Sequence, residues 1–128
     1  MKWTEGVEYH DGPSGYYVKC NHSYRSNIKG FEYQSPTMSL DLDGWVTLYD
    51  GFWWNGSNFS IDADTNIRAS AFHDALYWML DMEIITYTWN NRRKADKVMY
   101  NIMKEDGAAW IRCRYFWRAI RSVGWLFC

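Results

Sequence analysis

The stretch "SAFHDALYWM" (70–79) decides the fold of this chain, because it sets two ionisable side chains, His73 and Asp74, among apolar neighbours. With a helical step of about 100° per residue, His73 shares a stripe with Tyr77, and Asp74 lies one step around. The opposite side of this helix, predicted over about residues 65–82, is also apolar, so we expect the helix to be buried on several sides. Since a buried charge is costly unless it is paired, His73 and Asp74 both need partners.

A second predicted helix, over about residues 91–105, offers one of these partners. Its sequence, "NRRKADKVMYNIMKEDG" (91–107), has an apolar face with Asp96 at its edge and Tyr100 one turn further along. If the two helices pack antiparallel, Asp96 can bind one ring nitrogen of His73. That contact would fix the tautomer and leave the other nitrogen available as a base. A buried structural pair that locks two helices is the alternative interpretation.

A third helix is predicted over about residues 108–123, and it carries arginines at the spacing i, i+4, i+7 with tryptophans beside them. Arginine beside tryptophan favours a surface that binds acidic protein or lipid headgroups, and a solvated basic face is the alternative. The chain ends on "GWLFC" (124–128), an apolar tail that we expect to fold back or to be buried in another chain. The predicted interface comprises Trp110, Arg114, Trp117, Arg118, Arg121, Trp125, Leu126 and Phe127.

The first half of the chain has the composition of short strands separated by turns. Short runs rich in Tyr, Trp, Val and Thr alternate with Gly, Asp, Asn and Ser, and Asp43-Gly44 is a hairpin signal. The sequence therefore predicts one α+β domain over residues 1–128, with antiparallel β hairpins or a meander packed on three helices. Residues 1–62 are expected to be mainly β and loops, and residues 63–128 mainly helical. The predicted strands are 15–20, 30–35, 37–43 and 44–50.

Composition indicates a globular chain with an excess of rings. Of the 128 residues, 48% are hydrophobic, 23% are charged and 20% are aromatic, including 9 Trp and 10 Tyr. So many rings on a small domain predict that some of them face a partner. Residues 1–64 hold 4 basic and 9 acidic side chains, whereas residues 65–128 hold 10 and 6. The basic half favours an acidic partner, and a net charge of −1 disfavours nucleic acid.

Several classes of protein are excluded by what the sequence lacks. The N-terminus has no apolar core of a signal peptide, and no apolar run approaches the roughly 20 residues of a membrane span. The 3 cysteines are widely spaced without a Cys-x-x-Cys pair, which disfavours a zinc site and a disulfide-stapled secreted domain. We therefore expect a chain without a signal peptide or a transmembrane segment.

A His-Asp pair with Tyr four residues after the His, on one helix, and an Asp on the next helix resembles the active site of secreted phospholipase A2. The resemblance implies a phospholipase A2-like antiparallel helix pair in which His73 activates water and Asp96 orients the His73 ring. It assigns hydrogen-bonding support to Tyr77 and Tyr100, and the binding of a calcium ion to Asp74.

Two metal-dependent interpretations follow from the same residues. In the phospholipase-like one, the stretch nearest to a calcium loop is "WNGSNFSID" (54–62). In a metal-dependent phosphohydrolase arrangement, an earlier histidine would join the adjacent His-Asp pair and the later Asp around a metal ion. His10 or His22 would have to be that ligand, although both lie in the strand-like half and that fold is all-helical.

Residues 35–124 are also similar to a phage- and prophage-encoded family of uncharacterised domains. The shared pattern comprises a Gly-x-Ser-type loop, the stretch "ASAFHDALY" (69–77), the stretch "ADKVMY" (95–100) and an Arg-rich helix, "RCRYFWRAIR" (112–121). This resemblance implies a phage context. In that context the aromatic excess, the basic stripe of the third helix and the apolar tail favour a structural or interaction protein of a phage particle, found in the virion or in the host cytoplasm before assembly. Its partners would be other phage structural proteins or copies of itself, with membrane phospholipid as a further candidate and without nucleic acid. The structural role requires no cofactor, and the alternative is a calcium-dependent, phospholipase A2-like ester hydrolase at the host envelope.

Overall fold

The computed structural model describes residues 2–4, 7–11, 16–54, 64–108 and 110–123. Within these ranges the chain forms strands first and helices afterwards, which confirms the predicted α+β class. The helices are α1 (Asp64–Asp81), α2 (Trp89–Glu105) and α3 (Trp110–Val123). The strands are β1 (Lys2–Thr4), β2 (Val7–Asp11), β3 (Tyr16–Val18), β4 (His22–Arg25), β5 (Tyr33–Gln34), β6 (Met38–Leu40), β7 (Trp45–Leu48) and β8 (Trp53–Trp54).

The described strands form two antiparallel sheets of four strands each. The first sheet has the order β1-β2-β3-β8, and the second has the order β4-β7-β6-β5. Strand β8 returns to the first sheet, where Tyr16 pairs with Trp54. The chain therefore completes the second sheet before β8 closes the first one, and Trp54 of β8 contacts Ser70 of α1.

The β6–β7 hairpin shows how local sequence fixes the strand register. Leu40 pairs with Val46, and both side chains are buried, as the alternation of apolar and polar residues predicts. In the turn, the Asp41 carboxylate accepts hydrogen bonds from the backbone N–H groups of Asp43 and Trp45. Gly44 has a φ of 92°, which favours glycine. The hairpin predicted at Asp43-Gly44 is confirmed.

Helices α1 and α2 are antiparallel, as three contacts along their length show. Arg68 contacts Asp106 at 2.9 Å, His73 contacts Asp96 at 2.9 Å, and the Arg92 side chain contacts the Tyr77 hydroxyl at 3.4 Å. Residue numbers rise along α1 as they fall along α2, so the two helices run in opposite directions. The predicted bounds of all three helices are correct to within about two residues, the usual uncertainty of a helix end.

Helix α1 lies between the sheets and the other helices. The Trp54 indole N–H donates to the Ser70 hydroxyl at 2.9 Å, and the Phe72 and Trp78 rings contact tyrosines of β4 and β5. On its other side α1 packs against α2. This position explains why α1 is apolar nearly all round and why its residues 69–77 are buried except for Asp74. None of the helices in the described residues is long and apolar enough to cross a membrane.

Candidate functional site

The candidate site is built around Asp96 of α2, whose side chain is 0% exposed. His73 and Tyr77 lie one turn apart on α1, so they present both side chains to the same point on α2. Their ring centroids are 4.1 Å apart, and both residues are buried. The sequence pattern His-x-x-x-Tyr therefore places two polar groups on one carboxylate.

The first carboxylate oxygen, Oδ1 of Asp96, binds both side chains of α1. His73 Nε2 lies 2.9 Å from it, and the Tyr77 hydroxyl donates a short hydrogen bond to the same oxygen. Because an ionised carboxylate can only accept, this geometry assigns a proton to Nε2 of His73. Among the described residues, Asp96 is the hydrogen-bonding partner of the His73 ring, through Nε2 alone. The predicted contact between His73 and Asp96 is present.

The second oxygen, Oδ2 of Asp96, binds arginine. Arg121 Nη1 from α3 lies 2.7 Å away, and Arg92 Nε from α2 lies 3.9 Å away. Arg92 also donates from Nη2 to the backbone carbonyl of Arg121 at 3.2 Å, and from Nε to the Tyr77 hydroxyl. We call these five residues the Asp96 network: His73, Tyr77, Arg92, Asp96 and Arg121.

The structure places Arg121 differently from the sequence-based expectation. The stripe of arginines on α3 predicts that Arg121 faces a partner, yet its side chain is largely buried and ion-paired with Asp96. The reason is that α3 packs beside α2, so the long side chain at its C-terminal end reaches the buried carboxylate. The Arg121 guanidinium also stacks on the Trp89 ring at 4.2 Å. Sequence reasoning missed Arg92 and Trp89, although Arg92 stands four residues before Asp96, the spacing of a helical ion pair.

Tyr100 lies outside the Asp96 network. Its ring meets the Trp117 ring edge-on at a centroid distance of 5.9 Å, and the Lys97 ammonium lies 4.4 Å from its centroid. The hydrogen-bonding support that the resemblance assigned to Tyr100 is therefore replaced by packing between α2 and α3. Arg92 takes the position of a third hydrogen-bonding side chain instead.

The residues assigned to a metal are spread over the fold. Asp74 is half-buried on α1, and His22 lies in β4 opposite Leu48. In the ranges that the structure describes, no three His, Cys, Asp or Glu side chains are grouped so that they could hold an ion. Residues 55–62 of the predicted calcium loop and the His10 side chain lie outside the described part of the chain.

The predicted interface on α3 is described only in part. Arg114 and Arg118 are exposed, as is Ile111 on the same stripe, and Trp117 is half-buried. The Trp110 side chain lies outside the described part of the chain, as do Trp125, Leu126 and Phe127.

A second ionic cluster joins the β half to the opposite end of the helix pair. Arg68 of α1 binds Asp106 at 2.9 Å, and the Tyr24 hydroxyl of β4 donates to Glu105 at 2.6 Å. Burial, together with the hydrogen bond to Glu105, raises the pKa of the Tyr24 phenol. Arg68 thus ties the first half of α1 to the C-terminal end of α2, while His73 and Tyr77 tie its second half to Asp96.

The Tyr77 phenol gives the site a measurable pH dependence. Burial raises its pKa above the ordinary value, and the nearby charge of Asp96 and the hydrogen bond to it act in the same direction. The phenol therefore stays protonated in the folded chain above about pH 10, where it ionises in the unfolded chain. Its contribution to stability is fully present below about pH 10 and is lost as the pH rises further, by about 1.4 kcal/mol per pH unit.

We expect the free energy of unfolding, measured with denaturant in steps upward from about pH 10, to fall less steeply in Tyr77→Phe than in the wild-type chain. Tyr17→Phe is the matched control, because Tyr17 is exposed on β3. If the free energy of unfolding fell equally steeply with pH in Tyr77→Phe and in the wild type, folding would not raise the pKa of the Tyr77 phenol.

Two kinds of chemistry fit this arrangement. A histidine held by a carboxylate through one ring nitrogen can accept a proton at the other nitrogen, as a general base does. A buried carboxylate of one helix that accepts hydrogen bonds from two others can also serve as a structural lock. Comparisons of this chain with protein families, with curated proteins and with solved structures found no match.

Proposed function

We propose that this protein is a structural and interaction protein of a phage particle, and that its Asp96 network holds the helical layer together. One observation carries the proposal: both oxygens of the buried Asp96 carboxylate are occupied, by donors from α1 on one side and from α3 on the other. A carboxylate shared in this way fixes the position of three helices relative to each other. Such buried pairs are best attested as devices that specify packing.

The charges of the network also favour architecture over catalysis. General-base catalysis turns the histidine into an imidazolium, which the carboxylate must stabilise. Here the guanidinium of Arg121 lies 2.7 Å from the Asp96 carboxylate, and that of Arg92 lies nearby. A protonated His73 would be the third cation around one carboxylate. The repulsion among these cations opposes the intermediate that a hydrolase needs.

The setting in a phage particle rests on the resemblance of the "ASAFHDALY" and "ADKVMY" stretches to the phage-encoded family. In this proposal the protein resides in the virion, or in the host cytoplasm before assembly. It binds other phage structural proteins or copies of itself through the outer side of α2 and α3, and it needs no cofactor. The exposed side chains Ile111, Arg114 and Arg118 support this assignment, because exposed apolar and arginine side chains together are typical of interfaces.

The second candidate is a calcium-dependent, phospholipase A2-like ester hydrolase that acts at the host envelope. It is favoured by the single bond of the His73 ring to Asp96, through Nε2, and by the support from Tyr77. His73 would then take a proton from water at Nδ1, and Asp96 would hold the ring in place. Asp74 would be the calcium ligand by resemblance. Within the described residues, Asp74 belongs to no group of three His, Cys, Asp or Glu side chains that could hold the ion.

Release of fatty acid from phospholipid vesicles separates the two functions. We expect no calcium-dependent release by the wild-type protein, and we expect His73→Gln to behave in the same way. Removal of a general base lowers the rate by about 100- to 10,000-fold, so a genuine hydrolase would lose its activity visibly on this substitution.

The matched control is His22→Gln, which makes the same change in β4, away from Asp96. Both variants should retain the cooperative unfolding of the wild type. Calcium-dependent release that persists in His22→Gln and disappears in a folded His73→Gln would establish the hydrolase and overturn the structural proposal.

A further inference from the structure

We infer that the partner of the helical layer is a second copy of this chain, bound head to tail between two oppositely charged surfaces. The inference rests on the proposed interaction function and names its partner. The first surface is the turn between α1 and α2, and the second is the outer side of α2 and α3.

The turn between α1 and α2 concentrates exposed apolar side chains. Four large apolar side chains within 12 residues of sequence are exposed: Trp78 (40%), Met82 (56%), Tyr87 (44%) and Trp89 (68%). Exposed large apolar side chains beside charges are typical of an interaction site. The Trp78 ring contacts Tyr33 of β5, and the Trp89 ring contacts the Arg121 guanidinium, so the turn itself lies between these two contacts. We call the surface of the turn the acidic tip: Asp81, Met82, Glu83 and Tyr87.

The acidic tip is also negatively charged and has a defined backbone. Residues 78–91 contain two carboxylates, those of Asp81 and Glu83, and no Lys or Arg. Both acidic residues are exposed. The Ile84 backbone N–H donates to the Met79 carbonyl at 2.9 Å, and Glu83 adopts a φ of 62°, so the turn has a fixed conformation. A preformed surface loses little conformational entropy when it binds.

The outer side of α2 and α3 has the opposite charge. Residues 107–128 contain no acidic side chain. On α2, Asp96 is buried, and Glu105 lies near Arg68 and accepts from Tyr24. Asp96 is therefore buried away from this side, α3 carries no acidic side chain, and Glu105 is the one exposed acidic residue of α2 and α3. We call this surface the basic face: Lys97, Lys104, Ile111 and Arg118.

The basic face is ordered by contacts with aromatic rings. The Lys97 ammonium lies 4.4 Å from the centroid of Tyr100 and 5.4 Å from that of Trp117, and Lys104 lies 5.4 Å from Tyr100. Cations held over rings keep a defined position. Ile111, which is 72% exposed, adds an apolar contact to this face. The basic face thus offers the same mixture of charge and apolar surface as the acidic tip, with the opposite sign.

The two surfaces of one chain are too far apart to neutralise each other. With a rise of about 1.5 Å per residue, Lys97 and Lys104 lie about 12 Å and about 22 Å from Trp89 along α2. Charges are largely screened beyond about 8 to 10 Å in physiological salt. Each copy therefore exposes both a surface and its complement, and a second copy can satisfy them. Because the two surfaces differ, such a contact leads to a ring or to a filament.

Sedimentation across a range of protein concentrations tests this inference. We expect the wild-type mass to rise with concentration, and the association to weaken with added salt. Reversal of the tip by Asp81→Lys with Glu83→Lys should weaken association at least about 100-fold, because like charges would then face each other. Reversal of the face by Lys97→Glu with Arg118→Glu should do the same.

The chain that carries all four substitutions restores the wild-type net charge of −1, and it should associate again. Two control pairs repeat the changes in net charge at exposed positions of the β half: Asp43→Lys with Asp50→Lys, and Arg25→Glu with Lys29→Glu. Both control pairs should leave association intact.

A wild-type chain that stays monomeric would overturn the inference, as would a folded four-substitution chain that stays monomeric. Binding of a monomeric wild type to anionic phospholipid vesicles, lost on reversal of the face, would assign the basic face to lipid instead. Failure here is distinguishable from failure of the proposed function, because fatty-acid release and its dependence on His73 are measured separately. A monomer without calcium-dependent release refutes self-association alone.

Discussion

Replacement of Asp96 by Ala should lower the free energy of unfolding by about 3–5 kcal/mol, the cost of breaking a buried ion pair by removing one partner. The loss arises because Arg121 and Arg92 would remain largely buried without their carboxylate, and Tyr77 would lose its acceptor. Denaturant unfolding followed by circular dichroism measures the change directly. Since folded domains are stable by only about 5–15 kcal/mol, this loss would be a large fraction of the total free energy of unfolding.

Asp50→Ala is the matched control for this experiment, because it removes an exposed carboxylate of the β half, away from both proposed binding surfaces. Its effect should stay within about 0.5 kcal/mol, as is usual for surface substitutions. An unchanged thermal midpoint in Asp96→Ala would mean that the carboxylate is solvated in solution, and that the three helices are held together without it.

Replacement of Trp54 by Ala should have the next largest effect, about 3–5 kcal/mol, as for other large buried aromatic side chains. Trp54 is buried at the end of the first sheet, where its ring packs near Phe52 and Tyr16. Its indole N–H donates to Ser70 of α1 at 2.9 Å. The substitution therefore removes core volume and the hydrogen bond between the β half and α1.

The neighbouring Trp53 offers a close control. It has the same side chain one residue earlier, but points to the exposed side of the same strand. Trp53→Ala should change the free energy of unfolding by about 0.5 kcal/mol or less. Equal losses for the two tryptophans would show that the first sheet does not pack on α1 through Trp54.

The contact between His73 and Asp96 could be predicted because helical periodicity fixes which residues share a face. His73 and Tyr77 are separated by one turn, and Asp96 lies beside the apolar face of α2, so antiparallel packing brings them together. Arg121 could not be placed in the same way. Periodicity gives the direction of its Cα–Cβ bond, whereas the position of its guanidinium depends on how close α3 packs to α2.

The strands show a second limit of sequence reasoning. The hairpin at Asp43-Gly44 has a local turn signal, so it was predictable. By contrast, β8 consists of Trp53 and Trp54 alone, which is too short for any alternation to show. Its partner β3 lies more than 30 residues earlier in the chain, so the pairing is decided by tertiary packing. The likeness of the helix pair to phospholipase A2 stays a prediction.

The central claim is that Asp96 and Arg121 act together to join α2 to α3, and a double-mutant cycle tests it most directly. The free energy of unfolding would be measured for Asp96→Ala, Arg121→Ala, the double variant and the wild type. Because removal of either partner strands the other, we expect the double variant to lose less than the two single variants added together, with a coupling of about 0.5–3 kcal/mol. The control cycle pairs Asp96→Ala with Arg118→Ala, an exposed arginine of the same helix, and should be additive. A coupling between Asp96 and Arg121 that is no larger than in this control cycle would contradict the account.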